Sequence, residues 1–296
     1  MSITIGLDIG GTSVHALALD TNNTITARAN YPTNSAQGIE VFLDATQQCI
    51  NTLNAESGKD LQAIGIGCTG PVDYQSGIIA NPYTLPGLEG HSISALLAER
   101  IRVPTFIDND ANTAHLGEIH THPNAPSNTV LLTFGTGVGV SVRVDGELFR
   151  TPGGVHPEMG HIPISIHHNP PCYCGRTNCA ENILSGNAIN KYAKHLADTT
   201  AEHLLTTQDG RPFEEDLVIA LTDVIVTFTT IFHAQTVFIG GGMQDFFEHH
   251  LIEKTQRRLN SLLPIYGKAT IEGCRAKENA GALGAALLAR RGRSIT

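Results

Sequence analysis

One unit, a strand, a glycine turn and a second strand, occurs twice in this chain and constrains its fold more than any other feature. Ile3-Thr4-Ile5-Gly6-Leu7 runs into Gly10-Gly11, and Val14 to Leu19 leaves that turn. Thr129 to Phe134 runs into Gly135-Thr136-Gly137-Val138-Gly139, and Val140 to Val144 leaves it. Setting Gly10 against Gly135, 125 positions later, pairs Asp20 with Asp145, each at the end of its second strand. Such a repeat points to a duplicated domain, although two glycine turns after strands also arise by chance. The length of 296 residues suits two domains at roughly 150 residues each.

The rest of the chain alternates strands with helices, which makes this an α/β protein. Thr24 to Tyr31 reads as a third strand. Asn34 and Gln37 have capping-box spacing, and Ile39, Phe42, Leu43, Thr46, Ile50 and Leu53 follow at helical intervals, so a helix is expected over about 35–55. Ala63 to Cys68 and Val103 to Ile107 are apolar runs of buried-strand length. Leu217 to Phe232 carries a helical apolar pattern with Glu214, Glu215 and Asp216 at its start, where the macrodipole favours acids. Thr236 to Ile239 is a strand entering Gly240-Gly241-Gly242, and an Ala- and Leu-rich helix begins near Asn279.

Charge and hydropathy narrow the partners. Lys and Arg number 19 against 28 Asp and Glu, a net charge of −9, which argues against nucleic acid or an anionic membrane surface. No run approaches 18 consecutive apolar residues, and the N-terminus lacks the pattern of a signal peptide, so a cytoplasmic enzyme is expected. Six cysteines are present, and Cys172, Cys174 and Cys179 lie together after His161. In a reducing compartment that grouping reads as a metal site rather than a disulfide framework. One His and three Cys form a closed tetrahedral set for structural Zn²⁺. Cys49, Cys68 and Cys274 sit in apolar patterns as core residues.

Three glycine turns follow strands. Asp8-Ile9-Gly10-Gly11-Thr12 offers backbone N–H groups and a hydroxyl to an anion, with Asp8 able to hold Mg²⁺ directly or through water. Gly135-Thr136-Gly137 and Gly240-Gly241-Gly242 offer two more such cradles. An ordinary turn explains any one of them. None is a Walker loop, since no Gly-Lys-Ser/Thr is present, and the first is followed by a strand rather than the helix of a dinucleotide fingerprint. Asp108-Asn109-Asp110 closes the strand at 103–107. A carboxylate there beside an amide suits a general base with an orienting partner, and helix capping explains one of the three polar residues.

Taken together these residues resemble the ROK family of sugar kinases and repressors, within the actin/hexokinase/heat-shock ATPase fold. The resemblance rests on Asp8-Ile9-Gly10-Gly11-Thr12, Asn109-Asp110-Ala111-Asn112, Gly135-Thr136-Gly137-Val138-Gly139, Glu158-Met159-Gly160-His161, the cysteine motif running to Glu181, and Gly240-Gly241-Gly242. It implies two duplicated actin-like (ribonuclease H-like) domains with a cleft between them. The first would be residues 1–116 plus a C-terminal helix at about 279–296, the second residues 117–278 with a zinc-bound loop.

The implied activity is phosphorylation by ATP of a hexose or N-acylhexosamine, expected at the 6-hydroxyl. Asp110 would be the catalytic base, and Asn109, Glu158, His161 and Glu181 would bind sugar hydroxyls. Asp8, Gly10, Gly11, Thr12, Gly135, Thr136, Gly137, Gly240, Gly241 and Gly242 would hold the nucleotide with Mg²⁺. His161 would serve twice, one ring nitrogen on zinc and the other toward sugar. A homodimer is expected by the same resemblance.

Two departures bear on detail. Asn178 stands where the motif usually has Gly before its third Cys, and Asn tolerates the left-handed conformation that Gly supplies. Leu88 stands where many glucose-phosphorylating relatives carry Trp, which weakens a glucokinase assignment. The alternatives are a sugar-sensing ROK protein without kinase activity and an iron–sulfur ATPase of the same fold. A ROK repressor would carry a helix-turn-helix domain ahead of the first glycine motif, for which seven residues leave no room.

Overall fold

The repeated unit forms the centre of two five-stranded sheets in the computed structural model, which describes residues 2–151, 154–166, 171–262 and 268–292. In chain order the elements are β1 (Ser2–Ile9), β2 (Ser13–Asp20), β3 (Ile25–Pro32), α1 (Ile39–Ser57), β4 (Asp60–Cys68), α2 (Ile93–Ile101), β5 (Thr105–Asn109), α3 (Asp110–Thr121), β6 (Thr129–Phe134), β7 (Val138–Val144), β8 (Glu147–Leu148), α4 (Glu181–Leu184), α5 (Gly186–Ala197), α6 (Ala201–Leu205), α7 (Arg211–Phe232), β9 (Thr236–Gly240), α8 (Gln244–His250), α9 (Ile252–Ser261), β10 (Thr270–Gly273) and α10 (Ala280–Arg291).

The first sheet has the order β3-β2-β1-β4-β5 and the second β10-β9-β6-β7-β8. Read from its other edge, the second is β8-β7-β6-β9-β10, the same sequence of connections. In each, the first three strands are antiparallel neighbours and the last two pair in parallel. The duplication that the glycine spacing left open is therefore present in the topology.

Contacts divide the chain into two compact units. One comprises Met1–Pro123, Arg150–Pro157 and Ala276–Thr296, the other Asn124–Phe149 and Glu158–Arg275. All of α3 belongs to the first unit, to which the segment at Arg150–Pro157 also returns.

In the first unit, β1 is covered on both faces. Ile3, Ile5, Leu7 and Ile9 alternate onto one core with Phe42, Leu43 and Ile50 of α1. Gly6 faces the other side, where the backbone of α10 lies so close that a Cβ on Gly6 would overlap the Ala282 carbonyl oxygen. Leu17 and Leu19 of β2 pack with Ala282, Leu283 and Ala286 on that side. The alternation in β1 follows: its large apolar side chains fill one core, and Gly6 lets α10 approach the other face. In the second unit, Val130, Leu132, Val237 and Ile239 join Leu217, Leu221, Val224 and Phe228 of α7 in one cluster.

One local expectation fails. The capping box does not form: Asn34 is left-handed with no side-chain cap, Ser35–Gln37 is a 3₁₀ turn, and α1 starts after Gly38. Gly38 at φ 96° turns the chain where Asn34 had been expected to start the helix. The other strands and the helices at 211–232 and 280–291 lie where their periodicity puts them. Cys49, Cys68 and Cys274 are buried. No described helix is long and apolar enough to cross a membrane.

Candidate functional site

In the first unit the expected residues lie at the ends of β1 and β5, the strands that flank β4. Parallel strands that stop together leave their carboxyl ends, and the loops after them, beside one another. Asn109 is the N-cap of α3, its side-chain oxygen accepting from Ala111 N at 2.9 Å. Asp110 begins the helix and accepts from the same N–H at 2.8 Å. Both capping and the carboxylate thus come from one polar triplet. Loss of water around Asp110 pushes its carboxyl above the usual range, while hydrogen bonds from Ala111, Thr69 and Asn109 pull against that. Asp8 is pushed to about 7 by desolvation and then by the Asp110 charge. The two carboxyls are therefore close enough to feel each other.

Gly10 N donates to Ser13 O at 3.0 Å and Thr33 Oγ1 to Gly10 O at 2.6 Å, so the first glycine turn is pinned, with Gly11 and Thr12 exposed at its tip.

Asp108 does something the sequence did not disclose. It is fully buried and pairs with Arg150, whose Nε and Nη2 reach Oδ2 at 3.0 and 2.5 Å. Its other oxygen accepts from Asn109 N and Asn112 Nδ2, both at 2.8 Å. Arg150 carries no periodic or motif signal in the sequence, so only the fold brings it to Asp108.

In the second unit, two glycine turns adjoin. Gly186 N, at the start of α5, donates to Gly135 O at 2.7 Å, and Met243 N to Phe134 O at 2.9 Å. Gly241 has φ 86°, and a Cβ there would press on Phe134 backbone, so the 240–242 turn fits against the 135–137 turn only as glycine. Glu181, at the start of α4, accepts from Val138 N at 3.0 Å through Oε2. A Cβ on Gly137 would come within 2.7 Å of that oxygen. Thr136 is exposed at the tip of its turn.

His161 lies in a 3₁₀ turn, Met159–His161, that follows Glu158. Its Nδ1 is 3.5 Å from Cys172 Sγ, and Cys174 Sγ is 3.3 Å from Cys179 Sγ. One donor atom from each of the four residues lies within 4.8 Å of the others. Tetrahedral ligands on an ion bonded at about 2.0–2.3 Å lie about 3.3–3.8 Å apart, so the 3.5 and 3.3 Å pairs fit Zn²⁺. The Arg176 backbone N–H, then Cys179, lower the Cys174 thiol.

The other nitrogen, Nε2, faces away, 2.7 Å from the Tyr173 hydroxyl and 3.8 Å from Glu181 Oε1. Asn178 does not take the left-handed conformation that Asn tolerates and Gly often supplies. Its Nδ2 donates instead to Ile164 O at 3.2 Å, tying the loop through a side chain that Gly lacks.

Comparison with known proteins identifies the family. The model of the ROK family matches residues 4–292. The chain is 30% identical over 296 residues to an N-acetylmannosamine kinase of Salmonella heidelberg (strain SL476), across 97% of this chain and 98% of that one. A ROK hexokinase from Thermus thermophilus matches with a TM-score of 0.84 at 26% identity, covering 98% of both chains. A ROK family glucokinase from Streptomyces griseus, in complex with glucose and AMPPNP, matches with a TM-score of 0.74 at 28% identity, covering 98% of this chain and 100% of that one. The α/β architecture with two mixed sheets is that of these structures. Its motifs, its full-length match and its duplicated sheets make this chain a member of the ROK family.

Proposed function

We propose that this chain is a sugar kinase, transferring the γ-phosphoryl group of ATP to the 6-hydroxyl of a hexose or N-acylhexosamine. The observation that carries the reading is Asp110 at the start of α3, its carboxyl raised above the ordinary range by burial and flanked by the capping amide of Asn109. Phosphoryl transfer asks mostly for positioning and charge stabilisation, with one group to take the acceptor's proton. Asp110 takes that proton as the sugar oxygen attacks. Asn109, Glu158, His161 and Glu181 hold other sugar hydroxyls.

The turns Gly10-Gly11-Thr12, Gly135-Thr136-Gly137 and Gly240-Gly241-Gly242 present N–H groups to the nucleotide. Mg²⁺, which Asp8 would help to hold, supplies charge neutralisation on the phosphates when bound. Zn²⁺ on His161, Cys172, Cys174 and Cys179 would fix the loop that carries the sugar contacts. The similarity to N-acetylmannosamine kinases supports an N-acylhexosamine among the substrates, and Leu88 in place of Trp weighs against glucose as the preferred one.

A coupled assay over glucose, mannose, fructose, allose, N-acetylglucosamine and N-acetylmannosamine tests the reading. Asp110→Asn should keep sugar affinity and lose about 10²–10⁴ in kcat on the best sugar; a variant within about threefold of wild type would sink the assignment.

A further inference from the structure

Tyr173 stands between two metal-site cysteines, yet its hydroxyl belongs to a different set of neighbours. The residue is 80% exposed, and its ring meets His161 edge-on at 5.0 Å between centroids. The hydroxyl lies 2.7 Å from His161 Nε2. Glu181 Oε1 is 3.8 Å from that same nitrogen, and Glu181 is held in place by Val138 N. Glu158 and Glu181 both act electrostatically on the phenol. His161 and Glu181, both assigned above to sugar hydroxyls, thus face a hydroxyl that the chain itself provides.

His161 cannot serve two partners there at once. Its Nδ1 faces the thiol cluster, with Cys172 Sγ at 3.5 Å. An imidazole that gives Nδ1 to a metal carries its proton on Nε2 and donates it along one axis. A phenol oxygen and a sugar oxygen are alternative acceptors on that axis, and two oxygens cannot both occupy it at about 2.7–3.2 Å. Most of Tyr173 is solvent-exposed, so swinging the ring outward sacrifices this hydrogen bond and little packing.

We propose that Tyr173 is a further sugar-site residue whose hydroxyl holds the sugar-hydroxyl position on His161 in the free protein, so that sugar binds by displacing it. The proposal rests on the sugar-kinase reading and adds to it an internal competitor. Removing the competitor should tighten sugar binding, because the sugar then replaces water on Nε2 rather than a tethered phenol.

The test uses the metal-loaded full chain, titrated calorimetrically with glucose and with N-acetylmannosamine, for wild type, Tyr173→Phe and Tyr173→Leu. Both variants should bind the sugar that wild type phosphorylates about three- to tenfold more tightly, the fold-change of one net hydrogen bond. Zinc per chain and the KM for ATP should match wild type, which separates the effect from a loosened loop. The chain has no Trp and six Tyr, so tyrosine emission is directly visible. Sugar should change that emission in wild type and leave it largely unchanged in Tyr173→Phe. Unchanged or weaker sugar binding in the variants, or the same emission change in both proteins, overturns the proposal. If wild type binds and phosphorylates neither sugar nor any other of the panel, the kinase reading itself falls and takes this proposal with it.

Discussion

Burial, and after it the Asp110 charge, makes the Asp8 carboxyl harder to ionise. A base must be ionised to accept a proton. Since burial raises Asp110, the acid limb of kcat/KM should lie above the ordinary carboxylate range, with rate rising as pH rises through it. A pH–rate profile checks this. The same shift has the opposite sign for stability. Asp8 sits at about 7 in the fold against 3.8 for the free group, so the fold favours its protonated form. That contribution is fully present below about pH 4 and is lost as pH rises through about 7. Without Mg²⁺, the urea midpoint of wild type should fall more between pH 5 and 8 than that of Asp8→Asn. His161 and Glu158 separate metal from sugar. His161→Gln should lower zinc per chain and raise the sugar KM, each by losing one ring nitrogen's partner, whereas Glu158→Gln should raise KM with zinc intact. Elemental analysis and kinetics on the two variants decide it, and full zinc with unchanged KM in His161→Gln would remove both roles from that residue.

Among the elements, β5 is tied to the segment at Arg150–Pro157 by a buried ion pair, and to α3 by a buried hydrogen bond as well as by the helix cap. Arg150 reaches the fully buried Asp108, and Asp108 in turn holds Asn109 N and Asn112. Arg150→Ala would strand a buried carboxylate, and loss of one partner of such a pair costs about 3–5 kcal/mol. Denaturant unfolding should register that loss, and Arg150→Lys should recover part of it by restoring the charge without the fork. The strands were legible in the sequence because burial of a pleated face imposes a period of two, as at Ile3, Ile5, Leu7 and Ile9. The start of α1 was not. Asn34 and Gln37 have capping spacing, but Gly38 redirects the backbone before the helix begins, and spacing alone does not report φ. The Asn178 side chain donates to the Ile164 carbonyl, a contact between loop residues that its position in the motif does not report.

At the scale of the whole molecule, the last helix completes the first unit. Helix α10 packs on α3 as well as on the sheet, and small residues make that approach possible. A Cβ on Gly284 would overlap Thr113 O. Gly284→Ala should therefore destabilise the protein by about 1–3 kcal/mol or more through overpacking, seen as a lowered Tm, with its effect confined to stability rather than to zinc content. The sequence by itself determined the repeated strand–turn–strand unit, the α/β class, the apolar faces and the polar motifs, because these are set by local periodicity, by glycine's tolerance and by the chemistry of each side chain. It also determined that one His and three Cys could form a ligand set, since donor type needs no fold to be recognised. Only the tertiary structure decided that two sheets share one topology, that Arg150 meets Asp108, that the 135–137 and 240–242 turns lie together, and that Tyr173 stands on His161. Those are contacts between residues far apart in the chain or turned by a loop, and their existence depends on how the backbone closes, which no residue's own preference specifies.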